Sequence, residues 1–397
     1  MNTRDDIETA IRAWDRHETD RGAPAVIDFD FHPPAEDAPA PAPADRLTTL
    51  RRLGELLDET DEPALCQRVH ADIAYLRALM GERLQLDTYV RATQGCPANG
   101  WPDTYIKEKG EIAREAVAAF GVTWGENTRR ELAEVEGVLE PEKAPDAICA
   151  AAAEYEPAVR RATNTTADYE LTIEAADVDA YWAYWLDGAG HRVRLRLNTR
   201  NASYTAVQAR QFALHEVLGH GLQSAAIAAR CATEDVPWVR LLSVHGPQQV
   251  LLEGWAQAAP LFITPDDPAL VARVRLEHYA QLVRAELQLA INAGTSVEDC
   301  ASRAQSRIPW WTDGYIADLL ADRSTNPQLR TYMWAYAAGI DWFVNLADSA
   351  SPAAEAVLVH AYRSPLTPAE LQQLWPEGPT IGGPGSSRLS ALNPRCN

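Results

Sequence analysis

The segment with the clearest chemistry is His215-Glu216-Val217-Leu218-Gly219-His220. Two neutral imidazoles with a carboxylate beside the first form a donor set for a divalent metal. The histidines bind the ion, and the glutamate is placed to take a proton from water at the metal. In most such motifs the histidines are four residues apart. Here they are five apart. On a regular α-helix a four-residue step turns side chains apart by about 40°, and a five-residue step by about 140°. Two ligands cannot converge across 140°. The spacing therefore predicts one extra residue accommodated as a π-bulge, and Gly219 suits that local distortion. The competing reading is two unrelated histidines on one helix.

A third ligand is expected from a second helix, Val250-Leu251-Leu252-Glu253-Gly254-Trp255-Ala256-Gln257. Glu253 stands in an apolar run, where an unpaired carboxylate is costly and a metal would compensate it. A buried pair with an arginine is the alternative. Glu234, Asp235 and Glu277 are competing carboxylates in more polar company.

These residues resemble the gluzincin metallopeptidases, in which His-Glu and a second His on one helix are joined by a Glu from another. The string His215 to His220 resembles the zinc motif of the dipeptidyl peptidase III family, which also separates its histidines by five. Leu222-Gln223 after the second histidine, with Glu253-Gly254-Trp255-Ala256 downstream, is similar to a large bacterial family of zinc-peptidase-like proteins. That family tends to carry a late Tyr-x-x-Gly, which Tyr336-Ala337-Ala338-Gly339 matches. The resemblance covers roughly residues 190–345. It implies one Zn2+ per chain, held by His215, His220 and Glu253, with Glu216 as general base and Tyr336 as a transition-state donor. After the EGWA segment, this chain continues Gln257-Ala258-Ala259-Pro260, where the family has aromatic and acidic residues. That departure leaves the substrate open.

Substrate contacts follow with less force. In gluzincins the strand flanking the cleft receives an extended peptide by backbone pairing, so Asn198 and Arg200 are candidate contacts. Arg194 or Arg196 could take a substrate carboxylate, or could form an exposed face balancing an acidic protein. His245, in a loop before the Glu253 helix, could donate to an oxyanion or orient Glu253; an ordinary hydrogen bond is the alternative. Tyr332, Trp334 and Tyr336 could be an aromatic core stripe. Trp310-Trp311 could line an apolar pocket or simply pack. His17, His70, His278 and His360 have no partner pattern and read as structural.

The elements that must position these residues are mostly helical. Residues 1–32 read as an N-terminal helical segment, 33–45 as a proline-rich linker, and 46–165 as a helical domain forming one wall of a cleft. Residues 166–375 read as the gluzincin-like catalytic domain, and 376–397 as an irregular tail. Stripes such as Leu65, Val69, Ile73, Leu76 and Leu79 carry the helical period. Period-two alternation appears at 169–174, and again in a hairpin whose turn is 187–190 and whose return arm runs 191–198. The expected fold is mainly α (α+β), with one small mixed or antiparallel sheet preceding the metal-binding helix.

Composition narrows the function classes. The 397 residues include 36 Lys+Arg and 56 Asp+Glu, a net charge of −20. That charge argues against nucleic acid or an anionic membrane as partner. No run of 18 apolar residues and no basic-then-apolar leader is present. The six cysteines contain no CxxC pair, which fits free thiols in a cytoplasmic setting. The expected activity is zinc-dependent hydrolysis of an amide bond in a short peptide or peptide-like small molecule. The alternatives are non-peptidase metal chemistry on a specialised metabolite, with iron or manganese as its ion, and a catalytically silent binding protein. Oligomeric state is open.

Overall fold

Apolar residues three and four apart dictate most of the architecture. The computed structural model describes residues 3–35, 38–177, 184–198 and 203–385. The fold is mainly helical with one five-stranded mixed sheet. Arg200, and the Tyr181-Trp182-Ala183 end of the hairpin's first arm, lie outside the described residues.

Three N-terminal helices, Thr3–Asp20, Arg46–Asp58 and Pro63–Leu79, bury Ile7, Ile11, Trp14, Leu53, Leu56, Val69 and Leu76 against one another. Val239 and Leu241 join the same cluster from far along the chain. Between the first two helices the proline-rich stretch forms no helix or strand over its described residues, as a chain short of backbone donors should. Asp45 then caps the second helix by accepting from the Leu47 and Thr48 N–H groups. A larger cluster runs from Leu86 to Ile381 and contains the helices that carry the candidate site.

The sheet strands are β1 (Phe29–Asp30), β2 (Glu170–Ala176), β3 (Tyr184–Ala189), β4 (Arg192–Asn198) and β5 (Leu241–Leu242), in the order β2-β4-β3-β1-β5. β3 and β4 form the expected antiparallel hairpin. β2 runs parallel to β4, β1 runs parallel to β3, and β5 is antiparallel to β1. The short edge pair β1 and β5 went unread because two residues carry no alternation. On β4, Val193, Leu195 and Leu197 are buried while Arg192 and Arg194 are exposed, so one face packs on the core.

The five described cysteines are free thiols, with Cys96, Cys231 and Cys300 buried. Among the described residues no helix is long and apolar enough to cross a membrane.

Candidate metal centre

The histidine helix has three parts. Ala206–Phe212 is α-helical, Ala213–Leu222 is π-helical, and Gln223–Thr233 is α-helical again. It begins at a capping box in which the Thr205 side chain accepts from the Gln208 N–H and the Gln208 side chain accepts from the Thr205 N–H. The predicted bulge is thus a ten-residue π segment. Its i→i+5 hydrogen bonds bring residues five apart onto one face. His215 and His220 accordingly meet, with ring centroids 4.9 Å apart.

The motif residues around the histidines hold this rare segment in place. A Cβ on Gly219 would lie 2.8 Å from the Leu214 carbonyl oxygen and 2.9 Å from Ala256 Cβ. One on Gly221 would lie 3.0 Å from Val193 Cγ1 on β4. The glycines therefore allow the π segment to press on the Glu253 helix on one side and the sheet on the other. The Tyr362 hydroxyl donates to the Leu218 carbonyl at 2.7 Å and accepts from Trp255 Nε1 at 3.1 Å. Gln223 Nε2 donates to the Ala361 carbonyl at 3.0 Å.

Glu253 comes from Gln249–Ile263, a helix apolar and buried almost all round. Its Oε2 lies 3.6 Å from His215 Nε2 and 3.8 Å from His220 Nε2. Its Oε1 accepts from the Tyr332 hydroxyl at 2.5 Å, and the Tyr332 and Tyr336 hydroxyls are 3.0 Å apart. Both tyrosines sit on the Leu329–Asp348 helix. That helix approaches because Gly254 and Gly339 face each other: a Cβ on Gly254 would fall 2.6 Å from Gly339 Cα. The glycines of the EGWA and Tyr-x-x-Gly segments thus form one helix crossing. Gln257 Nε2 donates to the Glu253 carbonyl at 2.9 Å and to the Tyr336 carbonyl at 3.4 Å, bridging the same two helices.

Electrostatics mark the cluster as under tension. Burial pushes Glu216 up to about 7, despite His215 nearby. Burial pulls His220 down to about 4. His215 feels the same burial, but Glu216 and Glu253 together outweigh it and hold its pKa above the ordinary value. Glu253 stays below the carboxylate norm because its imidazole and tyrosine neighbours outweigh its burial. Burial and the field of Glu253 keep the Tyr332 and Tyr336 phenols well above their usual range.

The donor set fits a divalent cation. Ligand atoms of His215, Glu216 and His220 lie within 4.8 Å of one another. Glu253 Oε2 faces both imidazoles and is fully buried without a hydrogen-bond partner. A buried carboxylate oxygen left bare is costly, and an ion between it and the imidazoles would satisfy all three groups. His215, His220 and Glu253 could hold the ion, leaving Glu216 beside it.

The competing carboxylates are engaged elsewhere. Glu234 pairs with Arg230, Asp235 with Arg4, and Glu277 with Arg284. Asn198 is buried at the end of β4. Arg194 and Arg196 both pair with Asp187 across the hairpin, at 2.9 and 2.7 Å. His245 is not brought to the site. It is wholly buried, bonds Asp72 at 2.7 Å and stacks on Tyr75, because the loop that carries it folds against the N-terminal helices. His278, read as structural, bonds Asp341 at 2.8 Å in the core.

Three further neighbours surround the cluster: Tyr332 and Glu277, which the sequence offered as an aromatic of the core stripe and a competing carboxylate, and Tyr184, which it did not single out. Tyr332 has Tyr336 one helical turn away, and the pair shows its meaning only once the helices cross. Tyr184, on β3, feels Glu216 and Glu253, which add to burial in holding its phenol well above the usual range. Glu277 contributes to the field at His215. Glu277 also lines a cavity of about 510 Å3, with Tyr204, Gln208, Arg284, Trp311 and Tyr315 among others; the histidines, Glu216 and Glu253 are not part of its lining.

Comparison with protein-family models finds no match, and comparison with curated proteins finds none either. Among solved structures, the chain is similar to "the putative lipoprotein from Colwellia psychrerythraea", with a TM-score of 0.51 at 15% sequence identity. The match covers 79% of this chain and 58% of that one, so this chain spans less than two thirds of its neighbour's length. At that identity the likeness is one of fold alone.

Proposed function

We propose that this chain is a zinc-dependent hydrolase that cleaves an amide bond in a short peptide or peptide-like molecule. The observation that carries the reading is the π-helical turn, which sets His215 and His220 on one face opposite the bare Oε2 of Glu253. The resemblance of the HExxGH, EGWA and Tyr-x-x-Gly segments to gluzincin metallopeptidases supports it.

In this reading His215, His220 and Glu253 hold one Zn2+, and Tyr332 fixes Glu253 through Oε1. Zinc held there supplies Lewis acidity toward water and a substrate carbonyl oxygen. Glu216 takes the proton of the attacking water on its carboxylate and passes it to the leaving amine. Burial raises its carboxyl pKa from the ordinary value in the ion-free site, which suits a group that must both accept and return a proton. The Tyr336 hydroxyl, protonated at any working pH, donates to the oxyanion that develops on the carbonyl.

Metal content by mass spectrometry tests the reading on wild type and His220→Ala. About one zinc per chain in wild type, lost in the variant, is the expected result. A wild type that takes up no metal when zinc is offered ends the reading. Iron in its place, with oxygen consumption, keeps the ligands and replaces the hydrolase with oxidative chemistry.

A further inference from the structure

The cavity lined by Glu277 holds about 510 Å3, within the range of about 300–1,000 Å3 that small-molecule sites occupy. Its walls come from the Thr128–Glu136 helix, the start of the histidine helix, the Pro268–Asn292 helix and the 310–315 stretch. Two routes join it to the candidate metal centre. Gln208, on its wall, belongs to the helix that carries His215. Glu277 accepts from Gln281 Nε2 at 2.8 Å, Gln281 reaches Gln257 Oε1 at 3.4 Å, and Gln257 donates to the Glu253 carbonyl at 2.9 Å.

The polar groups of the walls are spent on the protein itself. Arg273 pairs with Glu136 through Nε and Nη2, and Arg284 Nη1 donates to Glu277 at 2.5 Å. Thr205 and Gln208 close the capping box. Thr312 caps the Asp313–Ser324 helix by accepting from the Tyr315 N–H, and Thr128 donates to the Thr123 carbonyl at 2.9 Å. Arg129 is exposed to water. What remains for a ligand is four rings, Tyr204, Trp310, Trp311 and Tyr315, with aliphatic neighbours such as Leu132 and Ala280.

These rings are fixed. Trp310 meets Trp124 edge-on at 4.7 Å, Trp311 and Tyr315 lie 5.2 Å apart, and the Tyr315 hydroxyl accepts from Arg284 Nε at 3.0 Å. The Arg284 guanidinium also sits 5.5 Å from the Trp311 ring centre, where it repels a cationic ligand. The paired arginines leave no buried charge for an anion to neutralise. Val138 and Tyr315, both on the walls, are among the few large apolar side chains exposed among the described residues, and burying such surface favours an apolar guest. Rings held at angles favour an aromatic guest over an aliphatic one of equal size.

We propose that this cavity receives an aromatic side chain of the ligand, so that the substrates of the neighbouring centre are short peptides or peptide-like molecules carrying an aryl group. This deepens the hydrolase reading and rests on it for the bond that is cut. Occupation of the cavity is separable from cleavage, so the two can fail independently.

The test is calorimetric titration of N-acetyl-Phe-Ala-amide, N-acetyl-Ala-Phe-amide and N-acetyl-Ala-Ala-amide into zinc-supplemented Glu216→Gln protein. At least one phenylalanine peptide binds about tenfold or more tighter than the alanine peptide, and cyclohexylalanine in place of that phenylalanine weakens binding. Ala133→Trp, which fills the cavity from a partly exposed position, removes the preference. Tyr315→Ala reduces it, and Tyr315→Phe, which keeps the ring, retains it. Should Ala133→Trp not fold, the two Tyr315 variants give the same comparison. Equal binding of the three peptides, no binding of any up to millimolar concentration, or a preference that survives both Ala133→Trp and Tyr315→Ala overturns the proposal. Cyclohexylalanine binding as tightly as phenylalanine overturns the aromatic assignment. A wild type that cleaves none of the peptides, yet prefers phenylalanine through Tyr315, keeps the pocket and loses the hydrolase. Cleavage of the alanine and phenylalanine peptides with equal kcat/KM does the reverse.

Discussion

At the scale of single residues, the two glutamates near the histidines have separable tasks. Glu253 Oε2 is the bare oxygen facing both imidazoles, whereas Glu216 lies 3.5 Å from His215 and farther from His220, within 4.8 Å. Glu216→Gln should therefore keep its metal while turnover falls by on the order of 10²–10⁴-fold. Loss of metal from that variant would make Glu216 the ligand and Glu253 the spare. The tyrosines divide in the same way. Tyr332→Phe strips Glu253 Oε1 of its donor, and such supporting bonds are worth about 10–100-fold in metal affinity. Competition with a chelator measures that loss. Tyr336→Phe should leave metal affinity unchanged and lower kcat. A variant that loses metal without losing kcat per bound ion would show Tyr336 to be a positioning group as well.

At the scale of elements, the site depends on backbones that touch. Gly254 and Gly339 let the Glu253 helix and the Tyr332 helix approach with no side chain between them. A methyl group on Gly339 would lie 2.4 Å from the Val250 carbonyl oxygen, which cannot move aside as a flexible side chain does. Gly339→Ala is expected to destabilise the fold by about 1–3 kcal/mol through overpacking and to weaken metal binding by drawing Tyr332 from Glu253. Gly314, on a helix with open space around it, is the control: Gly314→Ala should be neutral or slightly stabilising. Urea unfolding of the two variants decides it, and equal midpoints would show that the crossing does not depend on its glycines. The same crossing shows what the sequence could disclose. The five-residue spacing demanded a π distortion because geometry left no other way for the ligands to meet. The length of that distortion was not legible, since Tyr362, Trp255 and the sheet that sustain it are distant in the chain. Helix periods and the hairpin were readable because burial repeats along them. His245 misled because a loop histidine looks the same in sequence whether it faces a cleft or a buried aspartate.

At the scale of the whole molecule, the N-terminal helices are joined to the site-bearing body through β1, β5 and a buried polar cluster. Arg68 Nε donates to Asp72 at 3.1 Å, its Nη2 donates to Ser243 Oγ at 2.7 Å, and Asp72 accepts from His245. The 243–248 stretch held in this way leads directly into the Glu253 helix. Asp28, next to β1, belongs to the same junction. Its Oδ2 is enclosed without a partner. Burial pushes its pKa up to about 8; Arg68 pulls back only in part, and Asp15 adds to the rise. The folded protein therefore binds a proton here that the unfolded chain, with an ordinary aspartate near 4, releases. Folding takes up that proton between the two values, so this contribution is whole at acid pH and is lost as pH rises through about 8. Asp28→Asn removes the titration. Its stability should match wild type below about pH 4, gain on it steadily between pH 5 and 8, and level off toward pH 9. The gain should be on the order of 1–3 kcal/mol, less than a wholly buried acid would give, since Asp28 keeps some contact with solvent. Urea melts of both proteins at about pH 4 and pH 9 measure the difference, and curves that stay parallel would show that Asp28 ionises freely in the folded chain.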